Sequence, residues 1–177
     1  GAGKHCVAWK TKKTLGMVKR VEPVGMSCSA TIKAVKVRAN FSAEVSVPIS
    51  SFDSGEKDRD KEVLKILKAN VAPNLVFNVD PLPANTWQTM LKNGSGPVHG
   101  KLSIGGQTYP LSTTAKVRQV GANIEVYGTV VTKFSSLGIK PPSVGPGGSI
   151  AKVDDYLELH FNFLSGKVMN KGIVPNL

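Results

Sequence analysis

Three aspartates lie close enough in the sequence to suggest acid–base chemistry, because paired carboxylates can exchange protons with a substrate. They are Asp53, Asp58 and Asp60. Lys57 and Arg59 lie among them, and a helical pattern begins at Asp60. Capping of that helix by Asp58 or Asp60, together with ion pairing, accounts for these carboxylates without catalysis. The sequence therefore predicts that the chain is not an enzyme.

The histidines and cysteines do not have the spacing of a metal site. His5, His99 and His160 are isolated, and the last two should point outward from their strands. Cys6 and Cys28 form no C-x-x-C pair. If the chain folds back between them, they lie opposite each other in a hairpin. Two hypotheses remain open, a disulfide in an oxidising compartment and two buried free thiols.

Composition limits the class of protein and its partners. The 177 residues suit a single domain spanning 1–177, with 41% hydrophobic residues for its core. No apolar run reaches the roughly 18–20 residues of a transmembrane helix. The net charge of +11 invites nucleic acid, anionic lipid or acidic polysaccharide. Because the basic residues are scattered and aromatic residues make up only 6%, we predict dispersed surface charge and no nucleic-acid partner.

One short helical pattern interrupts a chain that is otherwise strand and turn. It covers residues 60–71, where Val63, Leu67 and Val71 recur at helical spacing. About three turns are marginal as an isolated helix, so this helix must dock on the rest of the fold. We expect it to close one end of the structure, either as core alone or as a gate for a ligand.

Alternating apolar residues predict seven or eight strands, which suits a closed antiparallel barrel. Gly105-Gly106 marks a hairpin turn between two of them. Small residues such as Ala43, Gly100 and Gly128 share the inward face and leave volume for a ligand. The parity of the strands predicts the following ligand-contacting interior: Phe41, Val45, Val47, Ile49, Phe77, Leu102, Ile104, Leu111, Val126, Val130, Leu157, Leu159, Phe161 and Phe163.

Five stretches in order carry a family resemblance. They are residues 45–55 followed by Arg59-Asp60, residues 73–77, residues 98–111, residues 134–139 and residues 153–159. Together the stretches resemble the YceI-like family of polyisoprenoid-binding, lipocalin-like barrels. The resemblance implies an all-β, antiparallel eight-stranded lipocalin-like barrel with one short helix closing an end.

The resemblance also implies a cargo and a location. A hydrophobic tunnel would hold a long isoprenoid, such as a polyprenyl phosphate or an isoprenoid quinone, or a similar amphiphile, with no catalytic cofactor. Family members are typically periplasmic or secreted, and many pair as homodimers. A phosphate head group would need cations at the tunnel mouth. Arg59 and Lys65 are our candidates because they cluster at the one predicted helix, as do Lys57 and Lys61.

A second class of function is a non-catalytic module of a secreted multidomain protein that binds carbohydrate or another protein. Trp9 and Trp87 would then be exposed stacking platforms. Trp87 lies in a polar, loop-like stretch and is the more exposed of the two by this interpretation.

Overall fold

The computed structural model describes residues 4–165, and antiparallel β-strands dominate them. Twelve strands and two α-helices follow the chain in this order: β1 His5–Leu15, β2 Lys19–Val21, β3 Val24–Ser27, β4 Thr31–Val37, β5 Asn40–Pro48, α1 Lys57–Ile66, β6 Asn74–Val79, β7 Leu82–Pro83, α2 Ala84–Asn93, β8 Ser95–Ile104, β9 Gln107–Val120, β10 Asn123–Thr132, β11 Ser143–Val144 and β12 Ala151–Leu164. None of the helices in this part of the chain is both long and apolar enough to cross a bilayer.

All twelve strands belong to one sheet, in the order β2-β1-β12-β10-β9-β8-β6-β5-β4. The short strands β3, β7 and β11 pair beside β1, β5 and β12. Eight strands of six or more residues form the wall. The prediction of an eight-stranded antiparallel lipocalin-like fold is confirmed in its architecture, but the strand count differs and the sheet is not closed. Within residues 4–165 no ladder joins β4 to β1, because β3 occupies the free edge of β1 instead.

Local links hold the two edges of the open sheet together. A disulfide joins Cys6 of β1 to Cys28, which follows β3. The Ala30 amide, just before β4, donates to the His5 carbonyl at 3.3 Å. The chain at Met26 forms an isolated antiparallel bridge to Asp53. Covalent and single hydrogen-bonded contacts therefore replace a continuous ladder at this seam.

Helix α1 is shorter than predicted and starts earlier. Its N-cap is Glu56, with no side-chain cap, so the predicted capping by Asp58 or Asp60 is wrong. Asp60 instead accepts from the Ser54 amide at 3.0 Å and fixes the preceding turn. The helix stops at Ile66 because Lys68 takes the left-handed φ of 55°.

A second helix, α2, occupies the stretch around Trp87 that the sequence indicated to be polar and loop-like. It ends on Gly94 at a φ of 78°, the left-handed C-cap that glycine favours. The Trp87 indole N–H donates to the Phe41 carbonyl at 3.0 Å, and Met90 is buried. The prediction of a single helix is therefore corrected to two.

The two helices lie at opposite ends of the wall. At the α1 end, Val63 and Ile66 pack on a buried cluster that includes Phe52 and Leu137. At the α2 end, Met90 belongs to a second cluster and Trp87 packs against it. This arrangement leaves the middle of the fold to the inward faces of the strands.

Candidate ligand-binding cavity

A cavity of about 580 Å³ runs through the interior between the two helices. Each of the eight long strands contributes side chains to its wall, and so do α1 and α2. Its volume is within the roughly 300–1,000 Å³ typical of small-molecule sites. We call this space the lumen.

Thirteen of the fourteen predicted interior residues line the lumen. They are Phe41, Val45, Val47, Phe77, Leu102, Ile104, Leu111, Val126, Val130, Leu157, Leu159, Phe161 and Phe163. Ile49 is the exception, since it is buried but does not border the cavity. Strand β5 ends at Pro48, and the Ile49 amide turns away to donate to the Pro73 carbonyl at 2.9 Å. Alternation therefore does not predict the direction of the Ile49 side chain, because Ile49 lies one residue beyond the end of the strand.

Sequence reasoning missed several lining residues outside the long strands. Phe134, Leu137 and Ile139 come from a loop, and Trp87 and Met90 come from α2. The loop carries apolar residues at 134, 137 and 139 inside a polar stretch. This pattern could have predicted that the loop packs into the end of the lumen. For α2 the available signal was the helical spacing of Trp87 and Met90.

Two phenyl rings lie flat against the wall because glycine leaves room for them. A Cβ on Gly100 would come within 2.6 Å of the Phe77 ring, and one on Gly128 within 2.8 Å of the Phe161 ring. A side chain at either position would clash with the ring, and at Gly100 it would clash with the backbone oxygen of Asn78 as well. The glycines therefore keep the cavity wide where large aromatic side chains line it.

The lumen reaches the surface beside α1. Residues that both line the cavity and are exposed mark this mouth: Glu56, Asp58, Glu62, Ser143 and Val144. They place the mouth between α1 and β11. Two other exposed lining residues, Ala34 and Ser112, lie in the strand wall. The remaining wall is almost entirely apolar, so the mouth carries most of the charge that a ligand would meet.

The charges at the mouth differ from the basic site that the sequence suggested. Arg59 lines the cavity, but its guanidinium pairs with Glu56 at 3.2 Å. Lys65 does not border the cavity, and its exposed ammonium pairs with Glu62 at 3.3 Å. Lys13 of β1 lines the cavity, and no carboxylate of the described residues lies within 4.0 Å of its ammonium. Three carboxylates against two cations make the mouth mildly acidic.

Two of the three aspartates that raised the question of catalysis serve local structure, and the third, Asp58, lies at the mouth. Asp53 accepts from the Gly55 amide at 2.8 Å, as Asp60 does from Ser54. The histidines stay apart, and among residues 4–165 there is no group of three or more His, Cys, Asp or Glu side chains placed to hold a metal ion.

The outer face of β12 carries a hydrogen-bonded row of polar side chains. The Tyr156 hydroxyl donates to the Glu158 carboxylate, which also lies 3.1 Å from the His160 ring. The hydrogen bond to Glu158 raises the pKa of Tyr156 to about 12, with desolvation and the negative charge adding to the effect. The same hydrogen bond lowers the pKa of Glu158.

Replacing Glu158 with alanine should bring the pKa of Tyr156 back from about 12 toward the ordinary 10.0. Because the folded state holds this proton more tightly than the unfolded chain, the associated stability is present below pH 10 and is lost as the pH rises through 12. Phenolate absorbance of the intact protein, minus that of Tyr156→Phe, isolates the signal. An unchanged Tyr156 titration in Glu158→Ala would contradict the assigned cause.

A sequence profile of the YceI-like domain matches residues 4–164. The chain belongs to the YceI-like family. The match covers every described strand, so the resemblance stated from five stretches is confirmed. No curated protein matches this YceI-like chain.

Solved structures share the fold at low sequence identity. BcnA of Burkholderia cenocepacia is 22% identical with a TM-score of 0.66, over 91% of this chain and 96% of that one. A polyisoprenoid binding domain from Saccharophagus degradans, implicated in plant cell wall breakdown, is 12% identical with a TM-score of 0.63, over 90% and 96%. The Campylobacter jejuni YCEI protein is 16% identical with a TM-score of 0.58, over 80% and 82%. At these identities the likeness concerns the fold.

One stretch of the resemblance forms a plug in the α1 end of this YceI-like chain. Leu137 is 2% exposed, and the loop is anchored by Asp155, which accepts from the Ser135 amide at 2.9 Å. Gly138 has a φ of 66°, and a Cβ there would come within 2.5 Å of the Tyr109 hydroxyl. The two family stretches 134–139 and 153–159 therefore act together to border the lumen.

The two tryptophans lie inside the fold. Trp9 is 8% exposed, Trp87 is half-buried, and both line the lumen. Trp87 is the more exposed of the two, as predicted, but it is not an exposed stacking platform, because its indole N–H is held inward by the hydrogen bond to the Phe41 carbonyl. The alternative of a carbohydrate-binding module loses the stacking surface on which it depended.

Proposed function

We propose that this chain binds a long-chain isoprenoid lipid in the lumen and carries or sequesters it, without catalysing a reaction. The observation that supports this most directly is the largely apolar cavity running between α1 and α2, with its lining carboxylates at the α1 end. Each methylene group moved from water into such a space is stabilised by about 0.8 kcal/mol. The binding free energy of a hydrocarbon therefore grows with the length of chain that is buried, with little need for polar contacts. The polyisoprenoid-binding domain among the fold neighbours supports the same ligand class.

The mouth favours a neutral head group over a phosphorylated one. Glu56, Asp58 and Glu62 surround it, and the guanidinium of Arg59 is already paired. A phosphate would meet repulsion from these carboxylates with only Lys13 as an unpaired cation of the lining. Of the two cargoes implied by the family, the isoprenoid quinone therefore fits better than the polyprenyl phosphate.

Mass spectrometry of an organic extract of the purified, never-refolded protein tests the proposal. One long apolar species at close to one molecule per chain is the expected result. An empty extract, together with no uptake of added quinone or polyprenyl phosphate, would contradict it.

A quinone should bind at least about tenfold more tightly than a polyprenyl phosphate of equal chain length, a difference of about 1.4 kcal/mol. Quenching of Trp9 and Trp87 fluorescence reports binding, because both rings line the lumen. Neutralising the mouth with Glu56→Gln, Asp58→Asn and Glu62→Gln should reduce the preference. Lys92→Ala, on α2 at the opposite end of the fold, is the control and should leave both affinities unchanged, since Lys92 does not border the cavity. Equal or tighter binding of the phosphate would overturn the assignment of a neutral head group.

We also propose a periplasmic or secreted location. The disulfide between Cys6 and Cys28 supports it, because such bonds persist in oxidising compartments. The homodimer that the family implies stays a prediction, as does a single domain extending over all of 1–177.

A further inference from the structure

Four exposed apolar side chains lie together at the α1 end of the fold. Met17 is 72% exposed, Val18 86%, Val144 54% and Ile150 62%. We call these four residues the rim patch. Large apolar side chains exposed in a group, unlike single ones, usually mark an interaction surface.

Backbone contacts establish that the rim patch is one continuous surface. The Gly16 amide donates to the Ile150 carbonyl at 3.0 Å, so the turn after β1 touches the loop before β12. The Ile150 amide donates to the Val144 carbonyl at 3.0 Å. Two loops that are far apart in the sequence therefore present their apolar tips side by side.

Cations flank the rim patch. Lys19 pairs opposite Leu15 in the β1–β2 ladder, and Lys152 pairs opposite both Thr14 and Ser143. Both lysines are exposed, and no carboxylate of residues 4–165 lies within 4.0 Å of either ammonium. Arg20 is close by but is neutralised by Asp154 at 2.7 Å. The apolar tip is thus framed by unpaired positive charge.

The rim patch borders the mouth of the lumen. Val144 belongs to the patch and also lines the cavity, and its neighbour Ser143 lines it too. Lys13, one strand position from the flanking Thr14, faces the cavity from β1. A hydrophobic ligand that enters or leaves between α1 and β11 therefore passes along the patch.

We propose that the rim patch docks this protein on the surface of an anionic lipid bilayer. Met17, Val18, Val144 and Ile150 would enter the interface between head groups and acyl chains, while Lys19 and Lys152 face the lipid phosphates. Apolar insertion combined with basic residues is the physical basis of interfacial binding. Docking in this orientation turns the mouth toward the bilayer, so that a lipid can pass between membrane and lumen without crossing water. The carboxylates of α1 lie across the mouth from the rim patch. The lysines, which flank the patch itself, therefore provide the attraction to the lipid phosphates.

Co-sedimentation with vesicles of equal parts phosphatidylglycerol and phosphatidylcholine tests the docking surface. We expect binding to these vesicles that weakens with salt, and much weaker binding to phosphatidylcholine alone. The variant Met17→Ser, Val18→Ser, Ile150→Ser should lose at least about tenfold in affinity. Its control is Val37→Ser, Val120→Ser, which changes the exposed valines that end β4 and β9 at the α2 end. That control should bind as well as the unchanged protein.

The charge of the rim is tested separately. Lys19→Gln with Lys152→Gln should weaken binding by roughly fivefold for each lysine removed. The matched control, Lys33→Gln with Lys36→Gln, removes the same charge from two exposed positions of β4. If both pairs lose affinity equally, dispersed charge alone holds the protein on the vesicle and the proposal fails. No binding of the unchanged protein to the anionic vesicles also overturns it.

This inference goes beyond the proposed function and does not depend on the cargo. The vesicles contain no isoprenoid, and uptake of quinone from detergent solution is measured without vesicles. We expect the rim variants to retain uptake from detergent. If the unchanged protein takes up quinone from detergent but does not bind the vesicles, only the docking proposal fails. If it binds the vesicles but takes up no quinone, only the isoprenoid cargo is overturned.

Discussion

Replacing Val130 with tryptophan should remove most of the bound lipid while leaving the protein folded. Val130 is 7% exposed, lies on β10 and lines the lumen, so the larger side chain occupies space that the ligand would use. Displacing only two methylene groups, at about 0.8 kcal/mol each, exceeds the roughly 1.4 kcal/mol of a tenfold change in affinity. We expect uptake of tritiated quinone to weaken by at least about tenfold.

Val131 provides a matched control on the same strand. It is 62% exposed on the outer face, where it pairs opposite Glu158. Val131→Trp therefore adds the same side chain outside the wall and should leave uptake unchanged.

Thermal unfolding of the two variants adds a second readout. Overpacking a filled core costs about 1–3 kcal/mol, whereas an empty lumen should accept the indole of Val130→Trp at a smaller cost. A strong destabilisation by Val130→Trp alone would mean that protein atoms already fill the interior in solution.

The strand interior could be predicted because its signal is local. In an antiparallel strand, alternate side chains share a face, so the odd residues of β5 identify one wall of the lumen directly. Gly105 and Gly106, with φ values of 56° and 83°, form the two-residue turn that their sequence predicts for β8 and β9. Both predictions depend only on neighbouring residues in the sequence and not on the strands that lie across the lumen.

Sheet closure and helix α2 depend on contacts distant in the sequence. The free edge of β1 is taken by β3, a strand of four residues whose pairing no local pattern determines. Helix α2 is rich in Asn, Thr and Gln, and it is held by the bond from Trp87 to Phe41, 46 residues away. Such elements are fixed by tertiary packing rather than by propensity.

The predicted cationic head-group site grouped Arg59 with Lys65 by their closeness in the sequence, whereas helical geometry places the two side chains on different faces of α1. At about 100° per residue, a side chain three or four positions after Arg59 shares its face, and one six positions later does not. Glu62 and Val63 accordingly line the lumen with Arg59, and Lys65 does not. The same spacing rule that found the strands would have separated Arg59 from Lys65 and placed an acid beside the arginine.

Reducing the disulfide between Cys6 and Cys28 should lower the free energy of unfolding by about 3 kcal/mol. The bond closes a loop with a sequence separation of 22, and the chain-entropy cost of leaving such a loop open in the unfolded state has this size. The disulfide extends the β1–β3 ladder by one position, because Val7 pairs with Ser27 and Cys6 therefore lies opposite Cys28. Urea unfolding with and without reductant measures the difference.

The double variant Cys6→Ala, Cys28→Ala is the control: it should match the reduced protein and show no response to reductant. If reduction leaves the urea midpoint unchanged, the hydrogen bond from Ala30 to His5 and the bridge from Met26 to Asp53 suffice to hold the seam, and the disulfide makes no net contribution to stability.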